Sequence, residues 1–101
     1  MTRTQPFYSK KNIISLVKSG KIFVTSKARL MAKDDFGWGI VEIGKALTAL
    51  KVKDWYKSDK RFDNPDIWVD YYRAENLNGE NVYTHFYVEA DQLVVDSFKE
   101  L

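Results

Sequence analysis

The stretch D-W-Y-K-S-D-K-R-F-D-N-P-D-I-W-V-D-Y-Y-R, residues 54–73, is where this chain changes its period. Before it, apolar residues recur at helical spacing: Ile13, Leu16 and Val17, then Ile40, Ile43, Leu47 and Leu50 reinforced by Ala46. After it they alternate. Ile67, Val69, Tyr71 and Arg73 fall on one side, and Trp68, Asp70 and Tyr72 on the other. Helices first and strands afterwards predict an α+β fold, N-terminal helices packed on a C-terminal antiparallel β-sheet. The stretch also gathers aromatic and cationic side chains (Trp55, Tyr56, Lys57) around the polar turn Asn64-Pro65-Asp66, a composition suited to a flat, anionic ligand.

Outward from it, the boundaries can be placed. Residues 1–5 are polar and expected to fray. Ser9 is an N-cap for the first helix, which Gly20 ends by tolerating positive φ. Residues 22–25 form a short edge strand or connector. Thr25 or Ser26 caps a second helix over 27–33, with Leu30 and Met31 as its apolar side. Gly44, in the third helix, costs about 1 kcal/mol against alanine unless it admits a close neighbour. A strand is expected over 52–57 and another over 67–73. Asn78-Gly79 is the strongest hairpin signal, leading into a strand over 82–89, a turn at 90–92 and a last strand over 93–99. Strict alternation puts Tyr83, His85 and Tyr87 opposite Val82, Phe86 and Val88. In the last strand it groups Leu93, Val95, Ser97 and Lys99 against Val94, Asp96 and Phe98.

Composition narrows the function classes. The chain has 101 residues, enough for one domain (1–101), and no cysteine, so disulfides and thiolate metal sites are excluded. No apolar run approaches the length of a membrane span and no secretory leader is visible, so a cytoplasmic protein without membrane contact is expected. A net charge of +2 leaves any attraction for nucleic acid to local clusters. His85 is the only histidine, and no glycine-rich phosphate loop or nucleophile motif appears.

What remains is an inventory of cations, phenols and one imidazole. In a meander, Lys57, Arg73, Tyr83, His85 and Lys99 can converge on one sheet face, with Tyr56 and Tyr87 beside them. Cations stabilise the charge that builds on phosphate oxygens, an imidazole or phenol moves protons, and aromatic rings stack unpaired bases. That set fits RNA cleavage through the ribose 2′-hydroxyl without a metal or other cofactor. It also fits surface packing, with Lys57 and Lys99 solvated and Arg73 paired to Asp70 or Glu75.

D-W-Y-K-S at 54–58, I-W-x-D-x-Y-R ending at Arg73, N-x-x-G-x-x-V-Y ending at Tyr83 and S-F-K-E at 97–100 resemble the MqsR family of toxins from type II toxin–antitoxin systems. The resemblance runs over nearly the whole chain. It implies a RelE-like fold and an mRNA interferase that cuts mRNA at short GC-containing sequences. It also implies a partner, the zinc-containing antitoxin MqsA, which also binds DNA, and a toxin that is monomeric when free. By the same resemblance, the catalytic lysines are Lys57 and Lys99 and the catalytic tyrosine is Tyr83. Three places depart: the family's glutamine after Ile67-Trp68 is Val69 here, a lysine two after the tyrosine is His85, and the loop before the last strand, around 90–92, is one residue longer. Valine cannot bond a phosphate, so His85 becomes the substitute proton-transfer group, with Arg73, Tyr56 and Tyr87 left to bind substrate. Val69 also keeps open a homologue that binds RNA or the ribosome without cutting; a small interaction protein whose sheet edge and aromatic face serve a protein partner is a further alternative.

Overall fold

A computed structural model describes residues 3–101; residues 1 and 2, part of the expected fraying tail, lie outside the described residues. Residues 3–5 lie against the fold. The Arg3 guanidinium lies 5.0 Å from the Phe7 ring centroid and 5.5 Å from that of Trp68, and its Nε donates to the Gln5 carbonyl at 3.2 Å.

α1 (Lys10–Lys18) starts where the Ser9 hydroxyl accepts the Asn12 N–H at 3.1 Å, a cap worth about 1 kcal/mol, and it buries Ile13 and Leu16. β1 (Ile22–Val24) follows, then α2 (Ser26–Phe36) capped by Thr25. α2 is longer than its sequence suggests and its buried side is Ala28 and Ala32, not Leu30, which is 61% exposed. Two alanines four residues apart let the helix backbone lie close against β5. α3 (Ile40–Ala49) buries Ile43, Gly44, Ala46 and Leu47 and leaves Ile40 exposed. The close neighbour that Gly44 admits is Val17 of α1: a Cβ on Gly44 would meet Val17 Cγ1 at 3.2 Å.

The period changes later than expected. Residues 52–54 form a 3-10 turn, closed by the Asp54 carboxylate accepting the Lys51 N–H at 3.0 Å, and β2 runs over Trp55–Lys60. β3 (Trp68–Leu77), β4 (Glu80–Glu89) and β5 (Gln92–Glu100) continue as an antiparallel meander. Two-residue turns join the last three strands. Asn78-Gly79 and Ala90-Asp91 all have positive φ, the geometry whose twist matches a hairpin. The sheet order is β1-β5-β4-β3-β2, with β1 parallel to β5, so an expected antiparallel sheet is a mixed one at that edge. Three helices before a five-stranded sheet give the α+β arrangement of the RelE-like fold.

One face of the sheet carries the core. Tyr72, Ala74, Val82, Phe86, Leu93, Val95 and Phe98 bury against Ile13, Ile43, Ala46 and Leu47 of the helices. The other face has no helix over it and holds Lys57, Tyr71, Arg73, Tyr83, His85 and Lys99. Strict alternation fails at three places; one is in β3, where the register shifts between Ala74 and Leu77. Tyr56 is an extra residue between the Trp55–Tyr72 and Lys57–Tyr71 pairs, and Asp96 is an extra residue between the Phe86–Val95 and His85–Ser97 pairs. The Asp96 bulge corrects the expected grouping of the last strand: Leu93, Val95 and Phe98 all face the core, while Lys99 faces away.

Candidate active site

The open face can be described as a grid, because ladder partners stand side by side. One row is Arg73, Tyr83 and Lys99 across β3, β4 and β5. The next is Lys57, Tyr71, His85 and Ser97 across β2 to β5. Beyond it lie Asp59 beside Val69, and Tyr87 beside Val94. Lys57 and Lys99 therefore stand three strands and one row apart, about 16 Å between backbones, with the tyrosines and the histidine between them. A lysine stem spans nearly half that distance, so both ammonium groups can reach one anion over the centre.

At the centre, the Tyr83 hydroxyl and His85 Nδ1 are 2.9 Å apart, and His85 Nε2 is 3.7 Å from the Asp96 carboxylate. The partners assign the protons. Asp96 can only accept, so Nε2 carries the hydrogen and Nδ1 takes the phenol's proton as an acceptor. Burial lowers the His85 pKa below its ordinary value. Asp96 opposes this, while Lys27 and Lys99 add to it, so the ring is neutral at neutral pH. Burial also pushes Tyr83 up to about 12, helped by the neighbouring Tyr56 and Tyr71 phenols and opposed by Arg73. The pair is thus a free base beside a protonated phenol, two groups with their proton affinities set apart, as acid–base work requires.

Each cation lies against a ring: Lys57 Nζ 4.5 Å from the Tyr71 centroid, Lys99 Nζ 5.3 Å from Tyr83, and Arg73 Cζ 4.1 Å from Tyr56. The rings hold the long side chains over the face at little cost in charge neutralisation. Among the described residues Arg73 and Lys99 have no carboxylate partner. The expected pairing of Arg73 with Asp70 does not form, because Asp70 points into the core. Lys57 is held at 3.1 Å by Asp59 on its own strand, which raises its pKa and keeps it charged.

Beside the central pair is a cavity of about 490 Å³ lined by Val69, Tyr71, His85, Tyr87 and Asp96, with Asp59 and residues 60–63 at its rim. Val69 is 6% exposed and occupies its floor. Arg61 covers Tyr87 with its guanidinium 4.3 Å from the ring centroid, and Phe62 stands fully exposed beside it. Among the described residues no three of His, Cys, Asp and Glu are grouped to hold a metal ion.

All seven sequence candidates, Tyr56, Lys57, Arg73, Tyr83, His85, Tyr87 and Lys99, lie on this one face, although Tyr87 is too buried to offer a ring face. Sequence reasoning missed Asp96 and Arg61. For Asp96 a signal existed: adjacent Asp96 and Ser97 interrupt an otherwise alternating run. For Arg61, in a loop of mixed charges, none did.

The family model described as motility quorum-sensing regulator, toxin of MqsA, matches residues 5–100. The chain is also 32% identical over 100 residues to the mRNA interferase toxin MqsR of Escherichia coli (strain K12), covering 99% of both chains. The motif residues read from the sequence, the α+β arrangement and this full-length match agree, and the chain belongs to the MqsR toxin family.

Proposed function

We propose that this protein is an mRNA interferase, the toxin of a cytoplasmic toxin–antitoxin pair that arrests translation and growth until an MqsA-like antitoxin, zinc-containing and DNA-binding, binds it. The observation that carries the catalytic part is the Tyr83–His85 pair at 2.9 Å, framed by cations on both sides. RNA supplies its own nucleophile in the 2′-hydroxyl. The Tyr83 hydroxyl swings from Nδ1 towards O5′, and neutral His85 takes the 2′-hydroxyl proton on the Nδ1 lone pair this frees as the O2′–P bond forms. Lys57, Lys99 and Arg73 balance the charge that grows on the phosphate oxygens. The P–O5′ bond breaks and Tyr83 donates its phenolic proton to O5′. The products are a 2′,3′-cyclic phosphate and a 5′-hydroxyl. Once the products leave, the Tyr83 phenolate swings back to the imidazolium and takes the Nδ1–H proton, re-forming the hydrogen bond and the starting state.

Each role fits the environment of its group. A depressed imidazole pKa leaves the base free at neutral pH, a raised phenol pKa keeps the acid loaded, and the cations need no proton change. Tyr56 and the cavity beside His85 offer stacking surface to the bases flanking the cut. The test is cleavage of RNA by Lys57→Ala and Tyr83→Phe variants, each expected to lose roughly 10²–10⁴-fold in rate. Wild-type rates in both would end the assignment.

Val69 supports a second reading. A buried valine lies where the family carries a glutamine, so a protein that binds RNA without cutting it would retain this face. Primer extension on cellular mRNA after induced expression, with end-group analysis, separates the two readings.

A further inference from the structure

We infer that the helical layer, on the side opposite the catalytic face, is a second RNA-binding surface that holds the phosphate backbone of the substrate away from the cut. This rests on the ribonuclease reading above and extends it to parts of the substrate that the catalytic face does not touch.

The charge of this chain is segregated. Residues 3–54, which form the helices, hold eleven Lys and Arg against four Asp and Glu; residues 55–101, which form the meander, hold five against ten. No acidic residue precedes Asp34. A net charge of +2 thus conceals a helical half near +7 and a sheet half near −5.

The few carboxylates of the helical half are largely occupied. Glu42 accepts the Gly39 N–H at 2.7 Å, Asp54 the Lys51 N–H at 3.0 Å, and Asp35 the Glu100 N–H at 2.8 Å. They close helix ends and a strand end and do not neutralise lysines. Of the cations, Lys21 is paired, with Asp91 at 2.6 Å. Lys10, Lys11, Lys18, Lys27, Arg29, Lys33 and Lys45 are exposed and have no ion-pair partner among the described residues.

Cavity linings show the same division. The groove between α1 and α3 contains Lys18 and Lys45, and the one beneath the N-terminal segment contains Arg3, Lys10 and Lys51; neither has a carboxylate. The catalytic-face cavity contains Asp59, Asp63 and Asp96 against Lys60 and Arg61. A polyanion approaching the sheet half meets local cations within a negative field, so its long-range attraction has to come from the helices. α2 joins the two sides. It lies along β5, with Thr25 N–H bonded to the Val95 carbonyl at 3.0 Å at one end and Asp35 bonded to Glu100 at the other. Its Lys27 is close enough to lower the His85 pKa. A strand of RNA leaving the cleft past Lys99 therefore meets the cations of α2 and then those of α1 and α3.

The partner is RNA because the cations are spread over three helices and are not gathered at one groove. A peptide would fill a groove, whereas a phosphate chain uses dispersed point charges. The experiment compares wild type with a Lys10→Gln/Lys11→Gln/Lys18→Gln/Lys45→Gln variant, and with a Lys27→Gln/Arg29→Gln/Lys33→Gln variant. The probes are 2′-O-methyl RNAs, which cannot be cut, of about 30 and about 6 nucleotides, titrated across salt concentrations. The expected result is roughly ten-fold weaker binding of the long RNA and a log–log salt slope shallower by about 0.7 per lost contact. Binding of the short RNA and the thermal midpoint stay unchanged. Equal affinity of variants and wild type for the long RNA overturns the inference. So does a loss confined to binding of the antitoxin, which would make the surface an acidic protein's site. Long-RNA preference in a protein that cuts no natural RNA would sink the nuclease reading and leave this surface standing.

Discussion

Asp70→Asn should be among the most damaging single-atom changes this protein can receive. Asp70 is fully buried on the core side of β3, and its carboxylate is where three segments meet. One oxygen accepts the Phe7 N–H at 3.0 Å and the Ser58 hydroxyl; the other accepts the Tyr8 N–H at 2.9 Å. Ser58 Oγ in turn accepts the Trp55 indole N–H at 3.0 Å. The carboxylate thus ties the N-terminal segment and β2 to β3. A carboxamide has one acceptor oxygen, so an NH₂ group must face a backbone N–H. The loss is one charge-assisted bond, about 1.5–3 kcal/mol, and the cost of an unmatched buried donor, about 1–3 kcal/mol. Together these come to about 3–5 kcal/mol, a large part of the roughly 5–15 kcal/mol that a domain of this size has.

The measurement is urea unfolding followed by tryptophan fluorescence, with a thermal melt. The midpoint should fall with unchanged m, and Tm should drop by about 15–30 °C. Ser58→Ala, which removes only the hydroxyl link, should cost about 1–2 kcal/mol. Because Ser58 adjoins Lys57, Asp70→Asn should also lower cleavage at temperatures where it remains folded. If the Asp70→Asn protein unfolds at the wild-type urea concentration, the carboxylate is not the tie described and the reasoning is refuted.

The pH dependence has a definite sign. As the proposed base, His85 acts unprotonated, and burial holds its pKa below 6.5, so kcat/KM should fall only as pH drops through that lowered value and be flat at neutrality. With Tyr83 near 12, no descending limb should appear until strongly alkaline pH. Asp96→Asn removes a carboxylate that holds the imidazole pKa up, so the rising limb should move to lower pH; a limb that stays put would exclude Asp96 as the orienting group. Val69→Gln should change the single-turnover rate by no more than about three-fold if His85 carries the proton transfer, whereas a gain of about ten-fold or above, towards the roughly 10²–10⁴-fold of a proton-transfer group, would show that valine limits catalysis. Gly44→Ala should show coupling with Val17→Ala of about 0.5–1 kcal/mol in a double-mutant cycle, since the added methyl and Val17 Cγ1 compete for one space.

Local physics explains what could be read from the sequence. Ser9 and Thr25 cap helices whatever surrounds them, and Asn78-Gly79 makes its turn from backbone preference alone, so these are legible in a string of residues. The buried side of α2 is not. Leu30 and Met31 look like its apolar contribution, but tertiary contact selects Ala28 and Ala32 because β5 comes too close for larger side chains. Asp70 reads as a surface residue, and nothing local shows that the N–H groups of Phe7 and Tyr8, more than sixty residues away, complete its hydrogen bonding. The site was legible in its residue types, through Lys57, Tyr83 and Lys99, and illegible in the geometry that joins His85 to Asp96.

The bulges at Tyr56 and Asp96 are the link between alternation and the proposed chemistry. In β5, Leu93, Val95 and Phe98 must face the core and Lys99 must not, since a buried, unpaired ammonium is far costlier than a local break in a ladder. Omit Asp96 and the remaining residues alternate without fault: Leu93, Val95 and Phe98 inward, Val94, Ser97 and Lys99 outward. Tyr56 stands in the same relation to Trp55 and Ser58 in β2. Each of these bulges is one residue of the candidate site inserted into a strand that would otherwise be regular, and the two flank the central β3–β4 pair. Deletion of Asp96 should therefore leave a folded protein, with Tm within about 5 °C of wild type, because it removes a ladder defect and no core contact. It should also leave Lys99 beside Tyr83 while stripping His85 of its carboxylate, shifting the rising limb of the pH profile as Asp96→Asn does. A deletion variant that fails to fold would show that the bulge holds β5 against α2 and that its place beside His85 is incidental.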